Sequence, residues 1–468
     1  MNMANPAVTP VSSRAIGSTA VRQPVRRGDP GSTVLHPVPV QGPRPVGQPI
    51  GEETDVLRSV TFYMGMALIF VKFAMLHEIQ TAVMGFNGRL LYVFGIPAAL
   101  GVLLSGGLGR GMAGRPAYYW VAFSAWMCLA TPFSFWRGKS LYACLHFIGI
   151  NLILLFVIAG LVVSWRECRL LMRFLALATM VNLLSSRIFS SEAGGRLDLE
   201  FGTVSNANDF AAHLLLVLPF LLLVVYRAKS IVVRSGALLA ICYGCVVIAR
   251  TASRGALIGM IAGVLFLIVR GSNRQRIALA CIVPLTVLAI MTVVPGTILQ
   301  RLRSFSATET DVSEEALESS ASRQYLLKKA IEYAIHNPLV GVGPAVFSDY
   351  EGSHNQVIGT HGMYHNAHNS YVLAFAEMGV PGGIFMLGAY LSSFLLLNRT
   401  YRKAKLRKEC LDIQQTVLCV MLGMCCFYVA ITFVNFTYMF YGPALGGLAI
   451  SISRAADQEF ARRVPIPA

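Results

Sequence analysis

The chain has 468 residues, of which 55% are hydrophobic and only 13% charged, and its mean hydropathy is +0.60. A water-soluble fold of this length needs more charge to stay in solution, so the balance excludes a soluble globular protein. The formal net charge of +16 raises nucleic acid as a partner, but the placement of that charge follows membrane topology instead.

Residues 1–55 are rich in Pro, Gly, Val and Arg and lack a helical period, which reads as a disordered cytoplasmic tail. No removable signal peptide is recognisable at the start, so the first helix is expected to act as its own uncleaved signal. Apolar stretches near the ~20 residues a bilayer requires then follow one another. They fall at about 59–79, 89–107, 117–135, 143–164, 168–186, 209–226, 232–249, 254–270, 275–295, 379–398, 413–433 and 437–453. The expected fold is therefore all-α and polytopic, with about twelve transmembrane helices in 56–455 and a cytoplasmic C-terminal tail over 456–468. The ten cysteines lie in apolar spans or short basic loops, which argues against a disulfide framework. Cys242 and Cys245 form a CxxC inside an apolar run and read as small buried residues.

Lys and Arg set the orientation. With the N-terminus inside, every second loop is basic, the strongest cluster being Arg399, Arg402, Lys403, Lys405, Arg407 and Lys408. Lys72, Arg187, Arg196, Arg250, Arg254 and Arg323 fall at or near the outer side, where the rule disfavours them. Basic residues kept there imply an anionic ligand, with phosphate the obvious candidate. Lys72, His77 and Glu78 near the end of the first span either contact ligand or pair with one another.

A loop over about 296–367 is too long for a connector. It begins polar and acidic, turns helical from Ser319 to Asn337, and stops before Pro338. Leu327, Ala330, Ile331 and Ala334 form an apolar stripe, and Arg323 is expected to share its buried face near the helix N-terminus, which favours anions. Gly341-Val342-Gly343-Pro344 makes a tight turn. His361, His365 and His368 then recur four and three apart, a spacing that suits zinc on a helix, although Gly362 argues against a regular helix there. The alternative is a single histidine as general base, since an ordinary imidazole titrates at about pH 6.5.

His368-Asn369 followed by Gly379 resembles the histidine motif of the O-antigen ligase and O-antigen polymerase superfamily. Starting from His365-Asn366 would place Ala376 at the glycine position, so the motif selects His368. Pro132-Phe133-Ser134, Arg196, Asn206-Ala207-Asn208-Asp209-Phe210-Ala211, Ser253-Arg254-Gly255, Ser322-Arg323, Asn337-Pro338-Leu339 and Gly341-Val342-Gly343 are similar to further family stretches. The tryptophan common after the loop arginine is replaced here by Gln324 and Tyr325.

The resemblance implies a bundle with a periplasmic loop as a lid over a lateral cavity. It implies metal-free, inverting transfer of a glycan from undecaprenyl diphosphate to an acceptor hydroxyl, on a lipid A core in ligases or a lipid-linked glycan in polymerases. It makes His368 the catalytic residue and points to Arg254, Arg323 and Arg196 as the diphosphate-binding set; His365 and Asn369 are read as possible acceptor-binding residues beside it. No cofactor and no nucleic acid are implied. A transporter or flippase of lipid-linked glycans is the competing class. The polar residues gather at the outer surface and no internal repeat is visible, which favours surface chemistry over passage.

Overall fold

The computed structural model describes residues 56–193, 196–199, 201–204, 206–293, 314–354 and 365–463. The expected N-terminal tail, the loop entry before Glu314 and His361 lie outside these residues.

Helices dominate. Val56–Phe73 (α1) and Leu76–Met84 (α2) meet at a 66° bend, where Met75 takes a positive φ of 54°. Leu90–Leu104 (α3), the short Gly107–Gly111 (α4) and Arg115–Ala130 (α5) follow. Arg137–His146 (α6) and Ile153–Leu161 (α7) are one span of 25 residues joined by a π-helical turn, Phe147–Leu152. Trp165–Ile188 (α8) starts with a capping box in which Ser164 and Glu167 satisfy each other's backbone amides.

Ala207–Val217 (α9) is capped by Asn206 and continues after Pro219 as Pro219–Arg227 (α10). Ile231–Arg250 (α11), Arg254–Arg270 (α12) and Asn273–Val293 (α13) come next. Glu314–His336 (α14) and Phe347–His354 (α15) belong to the long loop. Ser370–Lys405 (α16), Leu411–Ala430 (α17) and Tyr441–Arg463 (α18) complete the chain.

Seven described helices are long and apolar enough to cross a membrane, or eight if the bent pair counts as one span. The other four expected positions are also helical. Three of these helices (α3, α5 and α12) have 15, 16 and 17 residues. The fourth, α18, is polar for a span, yet most of its residues are buried inside the bundle, so it needs no apolar face toward lipid. It also runs to Arg463, beyond the end at 453 read from hydropathy.

The one departure from an all-α fold among the described residues is a small antiparallel hairpin, Ser190–Ala193 (β1) paired with Arg196–Leu199 (β2). It begins one residue after α8, and its four-residue strands are too short for hydropathy to register. The core centres on aromatic packing. Trp120 is fully buried and meets Phe123 and Tyr390 edge-on at 5.5 Å each. Exposed Leu, Ile and Val line the outside of α3, α11 and α13, as a lipid-facing surface requires. The ten cysteines are free thiols.

Candidate active site

The site is organised by a break in α16. Its ninth-to-tenth residues turn at Gly379, whose φ of 66° and ψ of −172° are open to glycine but strained for any other residue. The break exposes backbone groups, and the long loop takes them up. Val380 donates to the Pro338 carbonyl at 2.7 Å, Val342 donates to Ala376 at 2.9 Å, and Gly343 donates to Glu377 at 3.0 Å. A Cβ on Gly379 would run into the Leu339 and Pro338 carbonyls. The Asn337-Pro338-Leu339 and Gly341-Val342-Gly343 stretches are thus the two halves of one dock onto α16.

The turn after α5 holds the dock from the other side. Phe135 donates to the Val342 carbonyl at 3.0 Å, and Ser140 on α6 donates to Pro344 at 2.7 Å. Ser134 hydrogen-bonds Ser140 at 2.6 Å, and Lys139 pairs with Asp349 at 2.5 Å. A Cβ on Gly343 would collide with Ser134, which ties Pro132-Phe133-Ser134 to the same junction.

The lid has its own small core, built on Leu326, Ala330 and Tyr333 of α14 together with Val342, Val346, Phe347, Ala367 and Leu373. Inside it the fully buried Glu351 accepts hydrogen bonds from Tyr325 at 2.9 Å and from Tyr333. Burial and this contact push the Tyr325 hydroxyl up to about 12, so it stays a donor. Charge-assisted bonds of this kind contribute about 1.5–3 kcal/mol each. Tyr325 is the residue that stands near the place where a tryptophan was expected.

The lid differs from the sequence reading in three respects. The helix starts at Glu314, not Ser319, because Glu, Ala and Leu at 314–318 are strong helix formers. The buried face runs through Leu326, Ala330 and Tyr333; Ile331 is 45% exposed, so the expected stripe is rotated. Tyr333 faces the core because its hydroxyl finds Glu351. Arg323 is consequently exposed instead of sharing the buried face.

His368 sits at a bend and Asn369 in extended backbone just before α16. Asn369 caps that helix, its Oδ1 accepting from Tyr371 and Val372 at 3.1 Å each. Ser370 is stapled to the 431–437 segment: its amide donates to Ile431 at 3.0 Å, and its hydroxyl donates to Val434 at 2.7 Å and accepts from Phe436 at 2.8 Å. His368 is therefore held by neighbours on both sides and is partly buried, while His365 is exposed. Because residues 365–369 are not helical, His365 and His368 do not share a helix face.

The arginine-bearing segments meet the same region. Gly255 packs against Phe433 of the 431–437 segment, with room for no side chain, which sets the start of α12 and hence Arg254 beside the stretch that holds Ser370. Ser253 caps α12 by accepting from Ala256 at 3.3 Å. Arg196 on β2 reaches across to donate to the Thr251 carbonyl at 2.9 Å and to Asn208 at 3.0 Å. Those two bonds join the hairpin, the start of α9 and the turn before α12. Arg323 lies within electrostatic reach of both His368 and Asp209.

Burial, the Arg323 charge and His365 bring the His368 imidazole down to about 4. At neutral pH it is uncharged, as a proton acceptor must be. Among the described residues no group of three His, Cys, Asp or Glu side chains is placed to hold a metal ion.

Other candidate residues have structural partners. His354 stacks on Tyr350 at 4.2 Å and meets Phe135 edge-on. His77 lies 3.6 Å from Glu78, which also accepts from Thr203 at 2.7 Å. Sequence reading missed Glu377, which is buried and accepts from the Phe347 amide at 2.9 Å, binding α15 to α16. A carboxylate between Ala376 and Met378 in an apolar stretch was the available signal.

The chain is thus a polytopic α-helical membrane bundle with a folded loop docked beside His368 and the arginine-bearing segments. Residues 238–387 match the family model described as O-Antigen ligase. This segment supports a likeness to the O-antigen ligase and polymerase superfamily, and with the apolar helices it supports a membrane protein engaged in glycan processing. The matched stretch contains Arg254, Arg323, His368 and Gly379. No curated protein matches the chain.

Proposed function

We propose that the protein is a membrane glycosyltransferase that moves a glycan from undecaprenyl diphosphate to an acceptor hydroxyl, either on a lipid A core or on another lipid-linked glycan. The observation that carries this reading is a partly buried His368 next to the docked loop, within electrostatic reach of Arg323, with burial and that charge lowering its imidazole to about 4. The neutral imidazole takes the acceptor's proton as its oxygen attacks the anomeric carbon. The bond from that carbon to the diphosphate oxygen breaks with inversion, and negative charge grows on the leaving group. Arg254, Arg323 and Arg196 are the donors for that charge, and they act most strongly where it develops. Guanidinium groups serve here without a metal ion. His365 lies on the acceptor side, whereas Asn369 acts through its cap on α16.

The basic loops support an orientation in the inner membrane with both termini cytoplasmic and the lid periplasmic, and with twelve crossings in all. The test is glycan transfer by reconstituted protein. His368→Ala, Arg254→Ala and Arg323→Ala should each lower transfer by about 100-fold or more at normal membrane abundance. Full activity in all three would sink the assignment, and lipid movement without glycan joining would favour a transporter.

A further inference from the structure

Two cysteines meet at the base of the turn that holds the lid. Cys128 lies in the last turn of α5 and Cys144 in α6, and their Sγ atoms stand 3.1 Å apart across 16 residues of chain. Both are free thiols, Cys128 exposed and Cys144 buried. A disulfide asks the two sulfurs to close from that distance to about 2.05 Å. Other cysteines are placed differently. Cys168 and Cys425 point at the Ser451 and Ala262 carbonyls, at 3.8 and 3.9 Å, as thiols used for helix packing do.

The chain between the two cysteines is the platform on which the lid docks. It contains Ser134, Phe135, Lys139 and Ser140, whose bonds to one another and to Val342, Pro344 and Asp349 hold the loop. Cys144 stands five residues beyond Lys139, about 7.5 Å along the helix. A covalent tie at this level removes the states in which α5 and α6 part, and so steadies the turn between them. The burial of the two thiols also divides their chemistry. An exposed thiol is the one that an oxidant reaches first, and a buried thiol in contact with it is placed to resolve the product.

We propose that Cys128 and Cys144 are a redox-active pair that a small peroxide converts to a disulfide, clamping the turn on which the lid docks. The Cys128 sulfur attacks one oxygen of hydrogen peroxide and the O–O bond breaks. Cys128 becomes a sulfenic acid, and the other oxygen leaves as water. The Cys144 sulfur then attacks the Cys128 sulfur, the S–O bond breaks, and the hydroxyl departs with the Cys144 proton as a second water. Two electrons thus pass from the two thiols to one peroxide, and a thiol reductant reverses the bond. Under the orientation proposed above the pair lies toward the periplasmic face, where disulfides persist.

The test exposes the intact protein, in phosphatidylcholine nanodiscs near neutral pH, to hydrogen peroxide and maps disulfides in unreduced proteolytic peptides by mass spectrometry. A Cys128–Cys144 link should exceed every other cysteine pair at least tenfold, and a thiol reductant should remove it. Dimedone, which traps sulfenic acids, should label Cys128 in Cys144→Ser, or in Cys144→Ala where the first variant is not recovered folded. Cys144 in Cys128→Ser should take at least fivefold less label. The oxidised wild type should melt at a higher temperature than the reduced protein, and Cys128→Ser should lose that rise. Folded, peroxide-treated protein without this link, equal linking of other pairs, or label chiefly on Cys144 would overturn the reactive pair. A link that leaves the melting temperature unchanged would overturn the clamp. None of these readouts involves glycan transfer, so this inference and the proposed function fail separately.

Discussion

The two ends of the bundle use positive charge differently. At the end where α8 and α17 begin, arginines are matched with carboxylates and carbonyls. Arg58 pairs with Glu167 at 2.5 Å, and Arg463 forks onto Asp412 at 2.8 and 3.2 Å while also holding Glu459. Trp165 donates to the same Asp412 at 2.6 Å, and Arg454 donates to the Arg110, Ala159 and Val162 carbonyls. At the opposite end Arg196 holds a carbonyl and an amide oxygen, and the groups acting on His368 are Arg323 and His365. One set fastens helix ends together. At the other end, burial together with Arg323 and His365 lowers the His368 imidazole, and Arg196 ties the hairpin to α9 and the turn before α12.

Three measurements break or sharpen this contrast. The largest effect is expected from Gly379→Ala, which forces a side chain into a positive φ and against the Pro338–Leu339 carbonyls. Strain of this kind costs about 1–3 kcal/mol. Glycan transfer should fall at least tenfold and the melting temperature should drop; wild-type values for both would remove the kink from the site.

A smaller effect appears in the pH profile. His368 gains its proton only as pH falls through about 4, so the neutral base persists well below the usual imidazole range. The acid limb of the transfer rate should therefore fall below about pH 6, whereas a limb centred at about 6.5 would mean an ordinary exposed histidine. The smallest effect on transfer is expected from Asp412→Asn, which weakens the fastening end. It should lower stability by about 1 kcal/mol and leave transfer per folded molecule unchanged. A tenfold loss of turnover there would erase the distinction between the ends.

Much of this arrangement was legible because its signals are local. Apolar length marked the helices, and the glycine ten residues after Asn369 marked the backbone break at Gly379. Capping residues Asn206, Ser253 and Asn369 lay at positions already singled out by motif. The remainder depends on distant partners. Tyr333 faces the lid core because Glu351, eighteen residues away, receives its hydroxyl, and no helical period reveals that. Arg196 joins Thr251 across 55 residues, and Trp126 donates to the Met378 carbonyl across 252. The hairpin at Ser190–Leu199 escaped notice because each strand is only four residues long.

The π-turn at Phe147–Leu152 adds a constraint of another kind. Such turns accommodate one residue more than a regular helix does. Losing that residue would rotate everything before it by roughly 100° about the axis. Lys139 and Ser140 would swing away from Asp349 and Pro344, and the lid would lose two of its fasteners. Insertions and deletions in this span are thus coupled to the lid, so the helix tolerates changes of residue type far better than changes of length.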